Sequence, residues 1–188
     1  MNALPFLVYL IQLQNAGGLE HSDDTARLSV EIARRAGMDK RMIEIIEFGA
    51  RVHDIGKIGI PPSIVGKVGK YTFEEMRAMK RHPEIGAEML GKLLNIGNGV
   101  IPDGVIEIVL QHHENYDGTG YPKGIRGEEI HPGARILRVA DSFHAMTTSY
   151  RVWRPILTPS AALSIMMDYK NHYDPEYLKI LYEVNNHG

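Results

Sequence analysis

The stretch Asp39-Lys40-Arg41-Met42-Ile43-Glu44-Ile45-Ile46-Glu47-Phe48-Gly49-Ala50-Arg51-Val52-His53-Asp54 decides the fold class. Met42, Ile43, Ile46, Ala50 and His53 recur in it at three- and four-residue steps, the spacing that lines one face of an α-helix. Asp39 stands where a side-chain oxygen can accept from the first free amides of that helix. Beyond it, Gly56, Gly59, Pro61 and Pro62 break the helix into a loop. The same period holds on both sides. Ala26, Leu28, Ile32 and Ala33 form an amphipathic segment that Gly37 closes, and Thr72 with Glu75 reads as a capping box. Pro83 suits a first helical turn after His82, and Asp103 is expected to cap a helix carrying Val105, Ile106, Val109, His112 and His113. Asn115 to Gly127 is a Gly-rich loop, Ala134 to about Ser149 is helical again, and Pro159 and Pro175 start two last helices. No alternating run of useful length predicts a sheet, and no internal repeat occurs. The expectation is one all-α domain.

Composition narrows the function. A chain of 188 residues fits a single domain with a substantial core. A net charge of −2 with histidines neutral argues against a polynucleotide partner, which would meet a basic face. It leaves room for a small phosphorylated ligand held by a few local cations. The absence of cysteine excludes disulfides, thiolate metal sites and a thiol nucleophile, and is compatible with the cytoplasm, the expected location. Leu4 to Leu13 is apolar but interrupted by Pro5 and Tyr9. It lacks a basic flank, so it does not read as a signal peptide, and it is too short for a membrane span. Residues 1–20 are expected to form an N-terminal helix or linker, and 21–188 the folded domain.

The nine histidines are the compositional oddity, and position has to explain them. His53-Asp54 ends a helix, putting an imidazole beside a carboxylate on a rigid element. Imidazole suits transition metals, and a carboxylate can bridge two of them. His21 is expected just before a helix N-terminus, His82 just before Pro83, and His112-His113 is a second adjacent pair. Asp141 lies among apolar Val139, Ala140 and Phe143, where an unpaired charge would be costly. Each residue also has a plain structural reading: a core histidine, or for Asp141 a salt bridge to Arg135 or Arg138.

The residues match a family pattern. His53-Asp54-Ile55-Gly56-Lys57-Ile58-Gly59-Ile60-Pro61 and His112-His113-Glu114-Asn115-Tyr116-Asp117-Gly118-Thr119-Gly120-Tyr121-Pro122 resemble the signature of HD-GYP domains. Thr72 to Glu75, Met79 to Pro83, Gly127 to Ile130 and Ala134 to Asp141 continue the resemblance, which runs from about His21 to the C-terminal helices. It implies an HD-type helical bundle with a Gly/Pro-rich GYP loop, acting as a metal-dependent phosphodiesterase on cyclic di-GMP. By the resemblance, His21, His53, Asp54 and Asp141 correspond to the metal set of the wider HD superfamily. His82, His112 and His113 correspond to the ligands of a second metal, with Asp54 bridging. Lys57 would face the phosphate. Tyr121 would lie near the ligand, on a loop that could also meet a diguanylate cyclase domain. Glu114 and Asp117 are read either as hydrogen-bonding to ligand histidines or as surface residues.

The chain departs from the family pattern in places. Some members carry a Glu four residues before the first His, giving a third metal. Gly17 stands there, so two divalent metals are expected, iron or manganese first, with nickel or zinc as alternatives. His144 replaces a common Asp. The segment Thr148-Ser149-Tyr150-Arg151-Val152-Trp153-Arg154-Pro155 is irregular, with Arg151 the best match to a nucleotide-reaching arginine. Two other readings share these residues: a receptor that binds cyclic di-GMP without turnover, and a phosphohydrolase for another nucleotide.

Overall fold

A computed structural model describes residues 18–96, 101–148 and 155–186. The expected helix within residues 1–17, and Arg151 with its neighbours Tyr150, Trp153 and Arg154, lie outside the described residues. Among the described residues the chain is helical, with no strand. The order is α1 (Gly18–Arg35), α2 (Lys40–Val52), a 3-10 turn (Ile55–Gly59), α3 (Pro62–Val65), α4 (Phe73–Met79), α5 (His82–Ile96) and α6 (Val105–Gln111). A second 3-10 turn (Gly127–Glu129), α7 (Pro132–Thr147), α8 (Pro159–Asp168), a third 3-10 turn (Lys170–His172) and α9 (Pro175–Asn186) complete it.

Local chemistry sets most of these boundaries. Gly37, at φ 73°, takes the left-handed turn that ends α1. Asp39 accepts from the Met42 amide at 2.8 Å, and Thr72 and Glu75 form the reciprocal capping box. Thr158 caps α8, and Pro159 occupies its first turn. Three expectations need correction. Asp103 does not cap α6: Gly104, at φ 93°, holds that place without a side-chain bond, and the exposed Asp103 carboxylate lies 3.9 Å from Arg41. α7 begins at Pro132 because the His131 ring accepts from the Gly133 amide at 3.1 Å. His21 lies inside the first turns of α1, not before it.

α1 packs on α2 and α7; α6 lies against α5, α2 and α7; α8 and α9 close over α7. Ile32, Ile46, Leu90, Ile108, Leu137 and Leu181 are fully buried at the centre, each stabilising the fold by about 1.5–3 kcal/mol. Ile45, off the stripe read from sequence, is also buried because the start of α6 lies against it. This packing brings the first turns of α1, the ends of α2 and α6, the start of α5 and the middle of α7 to one place.

Candidate metal centre

That place is where the expected ligands meet. His21 comes from α1, and His53 and Asp54 from the end of α2. His82 opens α5, His112 ends α6 with His113 just beyond it, and Asp141 projects from α7. His21, His53, Asp141, Asp54, His82 and His112 are all buried. Their ligand atoms fall into two groups, His21–His53–Asp141 and His82–His112–His113, with atoms within 4.8 Å of one another in each. Asp54 lies between the groups. One of its oxygens is 3.5 Å from His53 Nε2 and the other 3.4 Å from His82 Nε2. Asp141 Oδ1 is 3.2 Å from His21 Nε2 and 3.8 Å from His53 Nε2. The alternative reading of Asp141 therefore fails: Arg135 pairs with Asp174, and Arg138 bonds Asn115 and Ser142.

The histidine hydrogen bonds test whether this donor set fits a cation. Nδ1 of His53, His82 and His112 lies 2.7, 2.8 and 2.7 Å from the carbonyl oxygens of Ala50, Met79 and Val109. A carbonyl cannot donate, so each Nδ1 carries the proton and each Nε2 presents a lone pair. His82 Nε2 and His112 Nε2 then face each other at 3.1 Å, two lone pairs with nothing to share unless a cation sits among them. Backbone orientation of a ligand histidine through its other ring nitrogen is a recurrent device of metal sites. The donor set fits divalent transition metals, with imidazole and carboxylate mixed.

Electrostatics sets the protonation states that metal binding needs. Burial would raise the Asp54 carboxyl, but Lys57, then His53, His82 and His112, hold it well below the ordinary range. Burial likewise opposes ionisation of Asp141, which the His21 hydrogen bond and the nearby His53 overcome. Burial is the leading cause that lowers His82 to about 4, against the pull of Asp54, and drives His112 and His113 well below the usual imidazole value. The Asp54 and Asp141 carboxylates are thus charged, and the His82, His112 and His113 imidazoles neutral, at neutral pH.

This has a measurable consequence for the metal-free protein. His82 is neutral when folded, but in the unfolded chain it takes up a proton near its ordinary value of 6.5. As pH falls below 6.5 the unfolded state binds the extra proton, so stability is present above 6.5 and is lost down to about 4. The loss from His82 alone is roughly 3 kcal/mol, and His112 and His113 add to it in the same direction. Urea denaturation of chelator-treated protein should show a midpoint falling steeply between pH 7 and 5; an unchanged midpoint contradicts neutral buried imidazoles.

The GYP loop is built around His113. Gly120 lies so close to residues 113–115 that a Cβ would come within 2.2 Å of the Asn115 nitrogen. The Tyr121 amide donates to the His113 carbonyl at 3.1 Å. The Tyr121 ring stacks on the His113 imidazole, centroids 4.8 Å apart, with the Lys80 amine 5.0 Å from the Tyr121 centroid. Glu114, fully buried, accepts from the Lys123 amide at 2.7 Å and the Gly124 amide at 3.0 Å. Asp117 accepts from the Thr119 amide at 3.0 Å and hydroxyl at 2.6 Å. Both acids thus fold the loop, and their hydrogen bonds go to it, not to the ligand histidines.

Lys57 reaches the Asp54 carboxylate from the 3-10 turn. His144 contacts His21 directly, Nδ1 to Nδ1 at 2.7 Å. Burial and the neighbouring His21 lower the His144 imidazole.

A helical bundle that gathers histidines and aspartates from five helices into one buried centre defines a class, the histidine–aspartate metal domains. The model of the HD domain family matches residues 5–177, and the chain belongs to that family. It is 38% identical over 176 residues to the cyclic di-GMP phosphodiesterase response regulator RpfG of Xanthomonas campestris, covering 93% of this chain and 45% of that protein. It is 43% identical over 128 residues to a cyclic di-GMP phosphodiesterase of Thermotoga maritima, covering 68% of this chain and 34% of that protein. The chain thus spans less than half the length of these relatives. Among solved structures, Bd1817, an HDG"Y"P protein from Bdellovibrio bacteriovorus, shares the fold with TM-score 0.70 at 22% identity over 89% of this chain and 52% of that one. The PgpH HD domain of L. monocytogenes does so with TM-score 0.66 at 19% identity, covering 94% and 93%.

Proposed function

We propose that this domain hydrolyses cyclic di-GMP in the cytoplasm at a pair of divalent transition metals, giving linear pGpG and, on further cleavage, GMP. The observation that carries the reading is Asp54, whose two oxygens face two separate ligand groups. Relatives named as cyclic di-GMP phosphodiesterases support the substrate. His21, His53, Asp54 and Asp141 would hold one ion and Asp54, His82, His112 and His113 the other, iron or manganese first, then nickel or zinc. When bound, such ions supply positive charge to the phosphodiester and acidify a water.

The chain's own residues prepare the site. Backbone carbonyls fix the imidazole tautomers. Burial keeps the His82, His112 and His113 rings neutral. Lys57 adds a mobile positive charge beside Asp54, suited to a non-bridging phosphate oxygen. Tyr121 borders the ligand while holding His113, and Arg151 is proposed to reach the nucleotide. The outer part of the GYP loop is proposed as the contact surface for a diguanylate cyclase domain.

The test is metal analysis and product chromatography on one sample, loaded anaerobically with each of these four metals and given cyclic di-GMP. Linear pGpG is the expected product. No linear product with any metal would sink the proposal, and tight binding without turnover would mark a receptor. A second substrate class has an observation behind it, since relatives at 29–32% identity are named 3'3'-cGAMP-specific phosphodiesterases. Equal-concentration competition between the two dinucleotides ranks them. Lys57→Ala is expected to keep its metal content and lose about 10²-fold in turnover, the scale of one removed charge-stabilising group. Loss of metal in that variant would reassign Lys57 to holding Asp54.

A further inference from the structure

We propose that His144 is a positioning residue that fixes the ring tautomer of the metal ligand His21. The inference rests on the metal-centre reading above and goes beyond it. His53, His82 and His112 have their outer ring nitrogens tied to backbone carbonyls. His21 Nδ1 lies 2.7 Å from another imidazole nitrogen, His144 Nδ1. That separation requires one proton between two nitrogens, and only one of its two placements is compatible with ligation.

If His144 Nδ1 carried the proton, neutral His21 would carry its own on Nε2. That nitrogen faces Asp141 at 3.2 Å, so it would donate to the carboxylate and have no lone pair for an ion. If His21 Nδ1 carries the proton, Nε2 presents a lone pair, and His144 accepts. His144 must then be protonated on Nε2, which points toward Asp24 Oδ2 at 3.5 Å. The Thr148 hydroxyl donates to the His144 carbonyl at 2.8 Å, so its proton does not compete for His144 Nδ1. His144 is buried, so water is a poor substitute acceptor. Ligation through His21 Nε2 would thus need the His21 proton on Nδ1, and His144 Nδ1 would supply the lone pair that receives it.

Two substitutions isolate that lone pair. In His144→Asn the side-chain oxygen, bonded to Cγ as Nδ1 is, preserves an acceptor. In His144→Leu a methyl group takes the same position. Mn(II) binding to metal-stripped protein is followed by the electron paramagnetic resonance signal of free Mn(II), with circular dichroism melts as the folding check. His144→Leu is expected to bind Mn(II) about 10–100-fold more weakly, the usual consequence of losing an outer hydrogen-bond partner of a ligand. His144→Asn should stay within about threefold of the parent. Parent-like binding in folded His144→Leu overturns the proposal, and so does a tenfold loss in folded His144→Asn, which stands as the test if the leucine variant does not fold. A parent protein that binds no Mn(II), Zn(II) or Fe(II) overturns the metal-centre reading and this inference with it.

Discussion

Asp54→Asn is expected to empty the centre of metal and to lower turnover by about 10³-fold or more, since removing even one preorganised stabilising group costs about 10²–10³. The amide has the shape of the carboxylate but not its charge, and Asp54 lies between both ligand groups, 3.5 Å from His53 and 3.4 Å from His82. Both proposed ions lose a ligand at once, so neither group of histidines can retain a metal through its partner. The fold also feels the change. Lys57 pairs with Asp54 and keeps only 16% of its side chain exposed. Stranding one member of a buried pair costs about 3–5 kcal/mol, and partial access to water places this pair at the lower end. The double variant Asp54→Asn/Lys57→Met separates the effects: it should recover most of the lost melting temperature and none of the metal. Inductively coupled plasma analysis with calorimetry reads both. Two bound metals and full activity in Asp54→Asn would show that the bridging role is wrong.

Much of this was legible because it is local. Asp39, Thr72, Glu75 and Pro159 act within one turn of their own position, so a single sequence displays them. Asp103 misled for a local reason too: the glycine after it adopts φ 93° and takes over the start of α6. The ligand residues were visible as residue types at helix ends, yet their convergence was not, because it depends on how α1, α2, α5, α6 and α7 pack. The resemblance supplied that grouping, and backbone carbonyls orient three of the rings. Glu114 escaped a firm reading because its partners, the amides of Lys123 and Gly124, exist as a site only once the loop has closed. The His144–His21 contact joins residues 123 positions apart, beyond any periodicity.

Glycine at position 56 shows how closely the backbone must pack to hold the centre, and its substitution gives the second large effect. A Cβ there would lie 1.9 Å from the His82 carbonyl oxygen and 2.5 Å from the Gly86 nitrogen. Both obstacles are backbone, so no side chain can swing aside. Gly86 approaches from the other side, where a Cβ would come within 3.2 Å of the Gly56 nitrogen. The 3-10 turn behind Asp54 and Lys57 therefore rests directly on the start of α5, which carries His82. Gly56→Ala must push these apart, widening the Asp54–His82 gap across the two ligand groups. Overpacking costs about 1–3 kcal/mol, occasionally more, and a backbone clash this short belongs at or above the top of that range. At about 2–4 °C per kcal/mol for a chain of this size, the melting temperature should fall by roughly 6–12 °C, and the folded fraction should bind metal more weakly. Gly91→Ala on the same helix is the control, because nothing lies within 4 Å of its added Cβ, and in a helix interior alanine is favoured by about 0.5–1 kcal/mol. A Gly56→Ala protein as stable and as metal-replete as Gly91→Ala would mean that α5 and the turn are free to separate, and that their contact does not set the spacing of the centre.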